Sequence, residues 1–246
     1  MKIIEAFAVK NKCYQAGAPL TPRGIMLHSV GTPQPSAAVF ARSFNQYQPG
    51  GVSVCVHAFA QADGTVYQTL PWEMRGWHCG GSANSTHIGV EMTEPSAGMT
   101  RSEAAEQIAG TYRTVVELFA ELCKQYELDP AQDGVIIGHA EGHRRGVASN
   151  HADPELLWRT YDMGYTMDGF RRDVAEAMKN GAREEALDMP RYDSVAEMPQ
   201  WARAGVQRLI DRGVLSGVGN GKLDLSLDMI RTMIVCQRML DEQKET

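Results

Sequence analysis

Residues 135–158 read VIIGHAEGHRRGVASNHADPELLW. The first four residues have the character of a buried strand, and the last few, after Asp153-Pro154, that of an apolar helix start. Between them lie three histidines and two acids in a polar, glycine-broken segment. A strand that ends in imidazoles and carboxylates is what a metal site needs, rigid on one side and open on the other. A second short apolar strand, residues 24–28 (GIMLH), also ends in histidine. His28 and His139 at two strand ends, with Asp153 at a loop–helix junction, make a common catalytic zinc set that leaves the fourth position to water.

The rest of the first 180 residues supplies a scaffold for such a site. Ser36 is placed to cap a helix over 37–47, which Gly50-Gly51 ends. Residues 52–61 (VSVCVHAFAQ) and 65–70 (TVYQTL) read as two strands joined by the hairpin turn Ala62-Asp63-Gly64. Residues 71–86 (PWEMRGWHCGGSANST) form a loop of the kind that carries ligands on a rigid scaffold, with Trp77, His78 and Asn84 as candidate groove-lining, substrate-binding residues. Residues 87–93 are a further strand with Glu91 inside it. Thr100 and Glu103 are spaced as a capping box before a long helix, whose apolar stripe is Ile108, Tyr112, Val115, Val116, Phe119 and Leu122. Helices over 154–161 and 167–179 complete an α/β unit: a mixed central sheet flanked by helices.

Composition narrows the function. The chain has 246 residues, 43% hydrophobic and 22% charged, an ordinary globular balance. A net charge of −6 argues against nucleic-acid binding, which rests on neutralising phosphates. No apolar run is long enough to span a bilayer, and the start MKIIEAFAVKNK lacks a signal-peptide core, so synthesis in the cytoplasm without an export signal is expected. Five cysteines without CxxC spacing favour neither a disulfide framework nor a cysteine-only zinc site.

Two metal motifs fail on residues 139–143. The zincin motif HExxH needs its acid one place earlier than Glu141, and Gly142 disfavours a helix there. A deaminase reading of His139-Ala140-Glu141 needs a PCxxC that is absent. His57 is expected to be packed, and His143 with Arg144 and Arg145 to be a solvated basic turn. Asp153 could also serve as a helix N-cap before Pro154, which does not exclude ligation.

From about residue 20 to 180 the chain resembles the type-2 N-acetylmuramoyl-L-alanine amidases, the zinc family that includes peptidoglycan recognition proteins and amidase-type phage lysozymes. The resemblance rests on LHSVGTP around His28, VSVCVHAFAQADGTVYQ, RGWHCGG followed by Asn84 and IGVEM, and GH…HADPELLW. It implies a zinc groove along one face of the sheet and cleavage of the amide between N-acetylmuramic acid and L-alanine in peptidoglycan. His28, His139 and Asp153 match the three ligands. Glu91 matches an essential glutamate, the general base and later general acid. Many members carry a lysine two places before the third ligand; here that place is His151, to which the resemblance gives the oxyanion-holding role. Some members have a catalytic tyrosine where this chain has Val56.

Residues 181–188 (GAREEALD) read as a linker, and 189–246 as a small helical module with helices over 201–211 and 227–240. The module resembles a single S-layer-homology-type repeat, which would bind cell-wall polymer; the alternative is a docking or homo-oligomerising tail. The implied function is a phage or prophage endolysin acting on the wall after release. A cytosolic wall-recycling amidase and a non-catalytic peptidoglycan-binding protein of the same fold are the alternatives. The second typically lacks a ligand, and this chain has all three.

Overall fold

The computed structural model describes residues 1–46, 54–188 and 191–242, in two compact units, Met1–Asn180 and Gly181–Thr246. The first unit runs β1 (Lys2–Glu5), α1 (Lys12–Ala16), β2 (Gly24–Ser29), α2 (Ala37–Phe44), β3 (Ala58–Ala60) and β4 (Thr65–Gln68). It continues through a 3₁₀ turn (Ser82–Ser85), β5 (His87–Met92), α3 (Arg101–Gln125), β6 (Ile136–Gly138), α4 (His139–Arg144), α5 (Glu155–Thr160) and α6 (Met167–Asp188). One mixed sheet has the order β1-β4-β3-β5-β2-β6. Only β3 and β4, joined by the expected hairpin, are antiparallel; every other neighbouring pair is parallel.

Strand alternation divides the sheet into two faces of different chemistry. Ile25 and Leu27 of β2, Ile88 and Val90 of β5, and Ile136 of β6 enter one core with Ile108, Val115, Leu118 and Phe119 of α3 and Phe170 and Val174 of α6. Met26 and Ile137 fall in a separate cluster with Cys79 and Ala83. On the same alternation His28 of β2 follows Met26, and Glu91 of β5 stands opposite His28 in register. The face under α3 and α6 is thus apolar, while the other carries the polar groups beside Phe59, which packs on Phe40 and Phe44 of α2.

Helix α3 starts where the spacing predicts. The Glu103 N–H donates to Thr100 Oγ1 (3.3 Å) and the Thr100 N–H to Glu103 Oε2 (2.8 Å). The stripe expected for α3 is buried or packed on the core, and a second flank is buried with it. There Thr114 Oγ1 donates to the Gln61 carbonyl (2.8 Å), and Gly110 lies against Ala62.

Several local expectations change. Ser36 occupies the N-cap of α2 without a side-chain cap bond; the Ala37 N–H is taken instead by Gln61 Oε1 at 3.0 Å. The strand expected over 52–61 is confined to β3, with Cys55 bridging to Trp77. Residues 47–53, which include the end of the helix expected over 37–47, lie outside the described residues. Residues 139–144 are helical despite Gly142, a position where close packing admits no side chain. A Cβ at that position would stand 2.9 Å from Met26 Cε and 3.0 Å from Ala148 Cβ. The polar stretch read as a linker, 181–188, is helical backbone continuing α6 to Asp188.

The second unit pairs β7 (Arg191–Tyr192) with β8 (Leu225–Ser226) and packs α7 (Gln200–Asp211) and α8 (Leu227–Glu242) around Met198, Ala202, Val206, Leu225, Ile230 and Ile234. Gly217, at φ +76°, brings the turn so close that a Cβ would lie 2.3 Å from the Lys222 carbonyl oxygen. Arg191 and Asp224 form an ion pair beside the ribbon. Among the described residues no helix is long and apolar enough to cross a membrane.

His57 is fully buried, its Nδ1 accepting from the Gly89 N–H (2.9 Å), its Nε2 donating to the Met74 carbonyl (2.7 Å) and its ring stacked on Trp72. Burial pushes its pKa down to about 4 from 6.5, against the opposing pull of the Met74 carbonyl and Glu73. Between those values the unfolded chain takes up a proton that the folded ring refuses. Stability is then present above pH 6.5 and falls as pH drops toward 4, by about 3 kcal/mol from this residue. Urea unfolding at pH 7 and pH 4.5 checks this, and His57→Gln should make the fall shallower. At Gly110 two effects compete. Alanine gains about 1 kcal/mol of helix propensity. Its Cβ, however, would stand 2.8 Å from the Ala62 carbonyl oxygen, and overpacking costs about 1–3 kcal/mol. Gly110→Ala should therefore lower the thermal midpoint, which calorimetry reads directly.

Candidate metal centre

Three short-range devices bring the site together. His28 leaves the sheet near the end of β2. His139 is the first residue of α4, set by the bend at Gly138, where a Cβ would meet Pro154 Cδ at 3.0 Å. Asp153 is held against α4 by the Ala140 N–H, which donates to its main-chain carbonyl (3.1 Å). Glu141, the acid weighed in both rejected motifs, turns away: it takes two bonds from Arg171 (2.9 and 3.1 Å) and one from the Gly138 N–H (3.2 Å). His143 is exposed.

The ligand atoms of His28, His139 and Asp153 lie within 4.8 Å of one another. His28 Nδ1 is 3.0 Å from His139 Nδ1 and 3.3 Å from Asp153 Oδ2, and His139 Nδ1 is 3.5 Å from Asp153 Oδ1. A tetrahedral zinc with bonds of about 2.0–2.1 Å has ligand atoms ~3.3 Å apart, so the three separations fit the edges of such a tetrahedron. Protonation states fit as well. Burial holds the His28 pKa below its usual value despite the opposing Asp153 carboxylate, which favours the neutral ring a metal requires. Burial alone would raise the Asp153 pKa, but the neighbouring His139 and His28 rings prevail and hold it below the usual carboxylate range. The carboxylate does not cap α5, whose N-cap is Pro154; it accepts instead from the Ser29 N–H at 3.3 Å.

The three residues line a cleft of about 1000 Å³ together with Glu91, His151, Trp77, His78 and Asn84. Glu91 Oε2 is shielded from solvent and has no hydrogen-bond partner. Burial, then the negative charges of Asp153 and Glu94, raise the Glu91 pKa well above the usual carboxylate value. His151 is exposed at the rim, its ring centroid 4.5 Å from that of His139 and its Nδ1 3.1 Å from Ser149 Oγ. Asn84 organises the loop: its Oδ1 accepts from the main-chain N–H groups of His78 (2.9 Å) and Cys79 (3.0 Å). His78 reaches beneath His28, with Nδ1 2.9 Å from His28 Nε2, and burial followed by the neighbouring rings of His28 and His57 lowers its pKa well below the usual value. Two participants escape a reading of the sequence: Ser149, 3.2 Å from His139 Nε2, and Glu94, which accepts from the Gly31 N–H (2.8 Å). Neither stands in a spacing that marks it.

A search of the curated proteins finds no match. Among solved structures, a Staphylococcus aureus hydrolase, AmiA, in complex with its ligand is similar at 20% identity and a TM-score of 0.58, over 75% of this chain and 86% of that one. The catalytic domain of XlyA is similar at 22% identity and TM-score 0.52, over 71% of this chain and 99% of that one. A mutant endolysin from Bacillus subtilis gives 21% and 0.51, with the same coverage. At these identities the likeness establishes the fold. The family model described as N-acetylmuramoyl-L-alanine amidase matches residues 18–156, more than half of the chain and the whole span from before β2 through all three candidate ligands. The chain belongs to the N-acetylmuramoyl-L-alanine amidase family.

Proposed function

We propose that the first unit is a zinc-dependent amidase that hydrolyses the bond between the lactyl group of N-acetylmuramic acid and L-alanine of the peptidoglycan stem. The observation that carries this reading is the meeting, in one cleft, of a tetrahedrally spaced His28–His139–Asp153 set and a carboxylate, Glu91, with an unpartnered oxygen. A zinc ion held by those three side chains would supply a Lewis acid and would bring the pKa of water toward about 7.

Glu91 takes the proton of the attacking water and returns it to the leaving amine; its raised pKa suits a group that must hold a proton between those steps. His151, at the rim beside His139, donates to the oxygen of the scissile carbonyl as negative charge develops there. Trp77, on the cleft wall, offers an apolar face to sugar or peptide. The presence of both Asp153 and Glu91 favours catalysis over mere binding of peptidoglycan. The endolysin among the solved structures of this fold, and the second unit beyond the amidase region, favour action on the intact bacterial wall after release from the cytoplasm. In that reading residues 189–246 hold the enzyme on wall polymer, and exposed Trp201, Val214 and Val218 give the unit apolar surface for contact.

Mass spectrometry of digested peptidoglycan should show new L-alanine amino termini; new reducing sugars or cut cross-bridges instead would refute the assignment. His28→Ala and His139→Ala should lose both bound zinc, read by metal analysis, and turnover. Glu91→Gln should retain zinc and the thermal midpoint while turnover falls about 10²–10⁴-fold. Deleting residues 189–246 should spare cleavage of a soluble muropeptide and weaken pull-down on purified walls.

A further inference from the structure

We propose that His78 and Ser149 are positioning residues that fix the ring tautomers of His28 and His139, so that both Nδ1 lone pairs face the metal position before an ion arrives. The inference rests on the zinc reading for its purpose, though not for its geometry. Both relays end on a main-chain carbonyl, which can only accept. His78 Nε2 lies 3.2 Å from the His87 carbonyl oxygen and must carry the proton there. The other nitrogen of that neutral ring, Nδ1, is then an acceptor for His28 Nε2 at 2.9 Å. His28 therefore holds its proton on Nε2 and turns a bare Nδ1 toward His139 and Asp153.

The second relay works the same way. Ser149 Oγ donates its hydrogen to the Cys79 carbonyl (3.0 Å), which leaves only lone pairs for its two ring neighbours, His139 Nε2 at 3.2 Å and His151 Nδ1 at 3.1 Å. His139 must present Nε2–H there, and its Nδ1 is the bare nitrogen 3.0 Å from that of His28. Hydrogen bonds from the outer ring nitrogen of this kind set ligand orientation and affinity in zinc sites generally.

One loop serves both relays, and its glycines make room for them. A Cβ at Gly76 would stand 2.9 Å from the His78 ring, and one at Gly89 of β5 2.5 Å from it. A Cβ at Gly80, at φ +64°, would stand 3.0 Å from Ser149 Oγ. The Asn84 carboxamide fixes the same loop by accepting from the His78 and Cys79 main-chain N–H groups. The glycine-rich run GWHCGG thus clamps the outer edges of two ligand rings in addition to lining the cleft.

Long-range ¹H–¹⁵N NMR of ring nitrogens in the metal-free full-length protein at pH 8 tests this directly. The expected result is an Nε2–H tautomer with unprotonated Nδ1 for both His28 and His139. A proton on Nδ1 of either ring overturns the proposal, whether or not zinc binds. His78→Leu should weaken zinc affinity about 10- to 100-fold in competition with a chromophoric chelator. His78→Asn, whose side-chain oxygen can replace the Nδ1 acceptor, should recover most of that loss. Equal affinities for the leucine variant and the parent overturn the positioning role. A parent that takes up no zinc removes the metal reading, while the tautomer measurement still decides this one.

Discussion

The parallel pairing of β2 with β5 and β6 is the constraint on which the rest depends. That register sets His28 opposite Glu91 and joins Leu27 to Gly138, the residue before His139. Because alternate side chains take opposite faces, the same pairing that buries Ile25, Leu27, Ile88 and Val90 under α3 delivers His28 and Glu91 to the side of the cleft. A slip of one residue would bury His28 among aliphatic groups and expose the core. The apolar packing that stabilises the sheet and the chemistry of the cleft are therefore one structural decision.

Around that frame, loops are tied rather than left to float. Asp153 is anchored through its own carbonyl to α4 and through its carboxylate to the Ser29 N–H. Arg171 of α6 reaches Glu141 and the Ile136 carbonyl, holding α4 against the end of β6. Loops make precise sites only when their backbone groups are committed in this way. The lowered pKa values of His28, His57 and His78 follow from the same burial that fixes the rings in place.

Much of the frame was legible in the sequence because its signals are local. The short apolar runs ending in histidine, the Asp-Gly hairpin and the Thr100–Glu103 box each depend on neighbours in the chain, and each appears in the fold. The grouping of His28, His139 and Asp153 was legible because all three stand at element ends. Features set by distant contacts were not. Helix α4 contains Gly142 because Met26 and Ala148 leave no space there for a larger residue, a contact invisible to local propensity. The helical backbone of 181–188 overrides a polar composition that reads as a linker. His78 gave no sign of its place under His28, since that contact joins residues fifty apart through a gap left by Gly89.

The spacing of the three candidate ligands along the chain carries a consequence for any ion they would hold. His139 and Asp153 are near neighbours, but His28 lies 111 residues from His139 and meets it only once the parallel strands have docked. A nascent or denatured chain thus offers at most a partial chelate, and the complete one exists only in the folded unit. Capture of an ion by that set would draw the equilibrium toward the native state by mass action, and the protein would compete for trace metal only after its sheet is assembled.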